Sequence, residues 1–192
     1  MFYRWLFLSL FLIMWVGWFA VWRVMALRVK AAAQSESLPS RLSHLVPLLV
    51  AAFFLSVPQP LIPSLNERFV PLAIWPAALG AALGYAGLAF CVWARLTIAD
   101  NWSSAVQLKR DHELIIQGPY RWVRHPIYTG LLLMFIGTAL AVGESRSVLA
   151  VAIAAASFWR KLTIEEGVMR RQFGAAYDDY TARVPALVPF LV

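Results

Sequence analysis

The chain has 192 residues, 61% of them hydrophobic and 14% charged, where soluble domains run at roughly 45–50% and 25%. That balance excludes an ordinary soluble domain and points to an integral membrane protein of one compact domain. The net charge of +7 is no nucleic-acid signal until the cations are placed along the chain, and the single cysteine, Cys91, excludes an intramolecular disulfide framework or a multi-cysteine metal site.

Trp5 to Trp22 is an apolar run flanked by Arg4 and Arg23. It has no small-residue cleavage site and carries Trp15, Trp18 and Trp22, so it reads as a retained membrane helix rather than a signal peptide. Arg28 to Arg41 is polar, holds Pro39 and several serines, and is expected to be a loop. Leu45 to Val57 predicts a second span, and the proline-rich residues 57–69 a connection. Val70 to Thr97 carries one charge, Arg95, and is the longest run; its Gly80, Gly84 and Gly87 have the spacing that lets helix backbones approach closely. Asp100 to Gln117 is polar and expected to be irregular. Ile127 to Gly143 predicts a fourth span, followed by the polar turn GESRS. Val148 to Trp159 is short and reads as the return limb of a helical hairpin. Leu162 to Arg183 is charged with a helical pattern, broken near Gly174 and ended by Pro185.

Fourteen of the seventeen lysines and arginines then fall on one side, against Arg4, Arg68 and Arg146 on the other. This bias fits about five spans in an all-α membrane bundle, the last two a hairpin, with a C-terminal helix in the cytoplasm. Residues 1–100 would supply the first three membrane helices and 101–192 a catalytic region. The net charge is accounted for by topology and anionic lipid contact, so membrane lipids are expected partners and nucleic acid is not; no obligate protein partner is evident.

The chemistry concentrates in Gly118 to Gly130, GPYRWVRHPIYTG, at the lip of the fourth span, and in a second cluster, Arg160-Lys161 with Glu165-Glu166. Anchoring at the headgroups explains Arg121 and Trp122 but not His125-Pro126 or the acidic pair. His44, His112 and His125 lack metal-ligand spacing, there is no phosphate-binding GxxxxGK, and no nucleophile elbow supports a serine hydrolase. What remains is a site for a ligand of mixed charge. A glutamate can take an ammonium; Tyr120, Tyr128 and Trp122 can face a sulfonium; Gln107 or His112 can bond a purine or ribose. S-adenosylmethionine has all of these groups.

On these residues the chain resembles the isoprenylcysteine carboxyl methyltransferase family, relatives of the phospholipid N-methyltransferases. The resemblance rests on Asn101-Trp102-Ser103, HELI at 112–115, GPYRWVRHPIYTG, the acidic pair and FGAAYDDYTARVPALVPF. It implies that His112, Glu113, Leu114, Ile115, Tyr120, His125, Pro126 and Tyr128 line an S-adenosylmethionine site, with Gln107 a further polar contact. Glu165 would hold the cofactor's amino group. Lys161 stands where the family has an arginine thought to contact the substrate carboxylate, with Arg160 adjacent. The acceptor would be lipophilic: a carboxylate first, an amine or thiolate otherwise. A non-catalytic membrane scaffold of the same fold is the alternative from another class.

Simpler readings stand beside several of these. Glu166 is expected to pair with Arg170 at i,i+4, Pro126 suits a first helical turn, Tyr177 and Tyr180 read as packing and belt residues, and Cys91 as packing. The site is expected to face the cytoplasm, in a bacterial inner membrane.

Overall fold

The computed structural model describes residues 2–26, 38–58, 62–98 and 114–189. Among the described residues six α-helices follow one another: α1 (Phe2–Ala26), α2 (Leu38–Ser56), α3 (Ile74–Ile98), α4 (Pro126–Val142), α5 (Ser145–Phe173) and α6 (Ala175–Thr181). Single 3-10 turns lie at Pro63–Asn66 and Gly118–Arg121. There is no strand among the described residues, only an isolated bridge between Arg68 and Glu144. Among the described residues four helices, α1, α2, α3 and α5, are long and apolar enough to cross a membrane, and α4 is a shorter apolar helix. The protein is therefore an integral membrane helical bundle.

Three boundaries depart from the sequence reading, the first being that Val70 to Ala73 precede α3 rather than opening it. Leu38 to Arg41 is the first turn of α2 rather than loop: Pro39 lacks an N–H, which costs nothing in a first turn. Val148 to Trp159 is not a separate short limb. It is the first half of α5, which runs unbroken to Phe173: no proline lies between Phe158 and Arg171, the single Gly167 is tolerated in the helix interior, and the polar residues continue its period. The hairpin itself is present. Gly143 turns the chain with φ +65°, its N–H returning to the Ala139 carbonyl at 2.8 Å, and Ser147 Oγ donates to that same carbonyl at 3.0 Å.

The most extensive helix contact is between α3 and α4. Gly80 and Gly87 lie against the Gly137 and Gly130 carbonyls, and a methyl group at any of the four would drive into backbone. Gly84 is covered by Met14 from α1 instead. Around this seam, Met14, Cys91, Met134, Phe135, Ala150, Ala154 and Phe158 form the buried core. Cys91 is packing, its thiol donating to the Ile127 carbonyl at 3.2 Å. α1 lies on α3 and α2 on α5, so the outer pair flank the bundle without closing on each other.

Candidate functional site

Gln117 is extended, and Gly118, at φ +59°, turns the chain so close to Thr97 that a side chain there would collide with its hydroxyl. The turn Gly118–Arg121 follows, and the chain reaches His125, which caps α4, with Pro126 buried at the first helical position. His125 and Tyr128 thus stand on the opening turn of α4, facing the last third of α5.

Their partners are the two glutamates. Tyr128 donates its hydroxyl to Glu165 Oε1 at 2.7 Å. His125 Nε2 is 3.1 Å from Glu166 Oε1, and its Nδ1 is 3.7 Å from Glu165 Oε2. The rings form a stack, His125 on Tyr128 at 5.7 Å and Tyr128 on Phe158 at 5.3 Å. Lys161 is buried on the same side of α5 as Phe158 and Glu165, one turn from the latter.

The two glutamates divide the work. Glu166 is 6% exposed and takes Arg124 through Nε at 2.9 Å and Nη2 at 2.8 Å. The expected partner Arg170 is also near, at 3.7 Å, but half exposed and shared with Asp178. Glu166 therefore keeps the expected i,i+4 pair with Arg170 and is an interior anchor as well. Glu165, with a side chain 26% exposed, keeps carboxylate surface for something else.

A C-terminal strap completes the site, and the sequence reading did not foresee it. Arg124 Nη1 donates to the Thr181 and Val184 carbonyls. The amides of Arg124 and His125 donate to Pro185 at 2.8 Å and Ala186 at 3.0 Å, and Thr129 Oγ1 to Leu187 at 2.7 Å. Tyr180 donates to the Tyr120 carbonyl at 2.6 Å. Burial pushes both tyrosine hydroxyls up, so they stay protonated and Tyr180 remains a donor. Tyr177 and Tyr180 are buried, which bears out the packing role expected of them and not the belt role, and Tyr180 is a tether as well.

Other candidates sort by position. Gln107, His112 and Glu113 lie outside the described residues, while Leu114 and Ile115 are half-buried and lead into the Gly118 turn. Arg160 is exposed on another face, donating to Ser43 Oγ of α2 at 2.5 Å, so it and Lys161 do not converge. The aromatic faces expected for a sulfonium are otherwise engaged. Trp122 stacks on Phe90 and meets Trp93 edge-on in an exposed belt, Tyr120 is buried, and Tyr128 is held between His125 and Phe158. Tyr128 offers its hydroxyl, not its ring. Exposed Arg121 fits the anchoring role.

The sequence profile described as phospholipid methyltransferase matches residues 75–176, over half the chain, from the start of α3 into α6; it takes in His125, Tyr128, Lys161, Glu165 and Glu166 and stops short of the strap. The chain belongs to that family. Family members to which it is similar include a protein-S-isoprenylcysteine O-methyltransferase B from Arabidopsis thaliana, 28% identical over 61% of this chain and 61% of the relative. The protein-S-isoprenylcysteine O-methyltransferase of Mus musculus is 32% identical over 61% of this chain and 42% of its own length. The solved structure of the eukaryotic intramembrane Ras methyltransferase, isoprenylcysteine carboxyl methyltransferase, superposes with a TM-score of 0.53 at 26% identity, covering 82% of this chain and 55% of that one. Within the family, then, the similarity runs to the isoprenylcysteine methyltransferases, as the RHPIY stretch implied. The chain spans 42% to 61% of the length of these curated relatives.

Proposed function

We propose that this protein is a methyltransferase that takes S-adenosylmethionine at the mouth of the α4–α5 pair and a lipophilic carboxylate from the bilayer. The observation that carries this reading is the unequal acidic pair. Glu166 is consumed by Arg124 and His125, whereas Glu165 is positioned by Tyr128 yet partly open, as a carboxylate awaiting an ammonium group should be. The donor set fits the cofactor: one oriented carboxylate, a hydroxyl, and an imidazole already held by a second acid.

When bound, S-adenosylmethionine would supply an electrophilic methyl group. Methyl transfer is one in-line displacement, so the chain's task is placement and exclusion of water. Glu165 would fix the amino end. Buried Lys161, one turn away, would neutralise an acceptor carboxylate at the opposite end of the same face. As a point charge it would orient less strictly than a guanidinium fork. Arg160 points to α2, which argues for Lys161 as the clamp.

The family profile names phospholipids, so a lipid amine is the second reading. A buried cation one turn from Glu165 argues against it, since a protonated amine would be repelled. The scaffold alternative has no use for a carboxylate held open by a tyrosine. We place the site on the cytoplasmic face on the strength of the cation bias alone. A bacterial inner membrane gains no support from the relatives named above, which are eukaryotic.

Isothermal titration of the purified protein with S-adenosylmethionine, followed by a labelled-methyl assay on carboxylate, amine and thiol lipids, tests the reading. Saturable binding with transfer to the carboxylate lipid is expected; no binding would overturn it.

A further inference from the structure

Away from the site the bundle holds a large apolar cavity of about 810 Å³, walled by α1 and α2 and backed by α4. It exists because α1 rests on α3 and α2 on α5, leaving a gap between the outer helices. Leu12 and Leu49 stand at its lips and are exposed, so it opens toward the lipid. Along α2 it runs from Leu45 to Ser56, a rise of ~16 Å. That is about half of a ~30 Å hydrocarbon core, the depth of one leaflet's acyl chains.

Its two ends differ. The inner end stops at Leu131, Phe135 and Phe158. Phe158 is 3% exposed and stacked under Tyr128, which closes the cavity from the glutamates. The outer end is charged. Arg68 Nη1 lies 3.2 Å from one oxygen of Glu144 and Arg146 Nε 2.7 Å from the other. Two guanidiniums share one carboxylate, leaving one positive charge at the rim of an apolar slot. Arg146 is buried and also donates to the Phe54 and Leu55 carbonyls, which fixes the cation pair to the end of α2. From Arg146 to Glu165, α5 rises ~28 Å, so this rim belongs to the opposite leaflet from the site.

We propose that the cavity is a binding site for one anionic glycerophospholipid, its phosphodiester at Arg68 and Arg146 and an acyl chain laid between α1 and α2. The net charge of the rim matches a single phosphodiester, and the depth matches one leaflet. The tail of the methyl acceptor fits less well: it would have to pass Phe158, and its apolar tip would end against two guanidiniums. Such a lipid would wedge α1 and α2 onto the bundle that carries the site. Lipid retention does not depend on methyl transfer; the Michaelis-constant readout alone rests on the proposed function.

The test is native mass spectrometry of the full chain in mild detergent, given equimolar phosphatidylglycerol and phosphatidylcholine. The wild type should retain one lipid, with phosphatidylglycerol preferred. Arg68→Gln, which leaves Arg146 and its carbonyl contacts in place, should lower phosphatidylglycerol occupancy about fivefold, the worth of one interfacial arginine, and leave phosphatidylcholine unchanged. Ala52→Trp, at an exposed position on the cavity wall, should fill the slot and remove both adducts while the acceptor's Michaelis constant stays as it was. Equal retention of both lipids by wild type and Arg68→Gln, unaltered retention by Ala52→Trp, or a raised acceptor Michaelis constant in Ala52→Trp would each overturn the proposal.

Discussion

Arg124 and Glu166 meet 2.8 Å apart with side chains only 13% and 9% exposed, joining the loop before α4 to the last third of α5. A buried ion pair adds little over an apolar pair of equal shape, but removing one partner strands the other charge. Glu166→Gln should therefore lower the unfolding free energy by about 3–5 kcal/mol, measured by denaturant unfolding in detergent. Arg124→Lys, which keeps the charge but loses the fork to Thr181 and Val184, should fall between wild type and Glu166→Gln. An unchanged midpoint in Glu166→Gln would remove this pair from the supports of the fold.

Glu165 carries the opposite expectation. Being partly open, it contributes less to stability, and Glu165→Gln should unfold close to wild type while weakening S-adenosylmethionine binding on the order of 2–5 kcal/mol. Tyr128→Phe removes only the orienting hydrogen bond and should cost about 0.5–1.5 kcal/mol of binding. Titration calorimetry on the three proteins decides it; equal small losses would take Glu165 out of the cofactor site.

Lys161 and Arg160 separate the acceptor classes. With a carboxylate acceptor, Lys161→Met should raise the acceptor's Michaelis constant and leave cofactor affinity nearly intact, whereas exposed Arg160→Ala should change neither. With an amine acceptor, Lys161→Met should be neutral or activating. Initial rates against acceptor concentration give the answer.

The glycine seam makes a structural prediction with its own control. A methyl group at Gly130 would meet Cys91 Sγ and the Gly87 carbonyl, both at 2.5 Å, so Gly130→Ala should destabilise by about 1–3 kcal/mol. Gly17, in the middle of α1, has nothing within 4 Å, and Gly17→Ala should be neutral or stabilising by about 0.5–1 kcal/mol. Equal effects at the two would mean that the backbones of α3 and α4 do not touch in the membrane.

Sidedness is open to thiol labelling, because native Cys91 is buried and silent. Ser64→Cys and Ser145→Cys should label together, since Ser145 N–H reaches the Glu67 carbonyl beside the Pro63–Asn66 turn. Asp179→Cys, exposed on α6, should label from the cytoplasm. Labelling of Ser64→Cys and Asp179→Cys from one side would sink this topology.

The hydrophobic runs made the spans legible, because a bilayer leaves few alternatives to a helix of the right length. The GPYRWVRHPIYTG motif pointed to the candidate site for a related reason: cations and a histidine at the lip of a span demand partners. The pair of Glu166 with Arg170 is present as expected, but the burial of Glu166 and its partners Arg124 and His125 do not show when it is weighed against Arg170 alone. Ala150, Ala154, Phe158 and Leu162 lie four apart on the buried face of α5, and the next step along that row is Glu166. Extending the row would have placed it inside. The strap was out of reach, since its acceptors are backbone carbonyls, which no side-chain pattern announces.

The strap also sets an order of birth. Thr129 and the carbonyl it donates to are 58 residues apart. At a synthesis rate of ~5–20 residues per second, the opening turn of α4 waits ~3–12 s for the segment that will receive its amides. Until Glu166 is made, 42 residues after it, Arg124 has neither that carboxylate nor the late carbonyls to face, so water or lipid phosphate must serve it. The helices can therefore be threaded into the bilayer well before the protein can hold a ligand, and a ribosome stalled in α5 would leave a finished membrane anchor with an unfinished site.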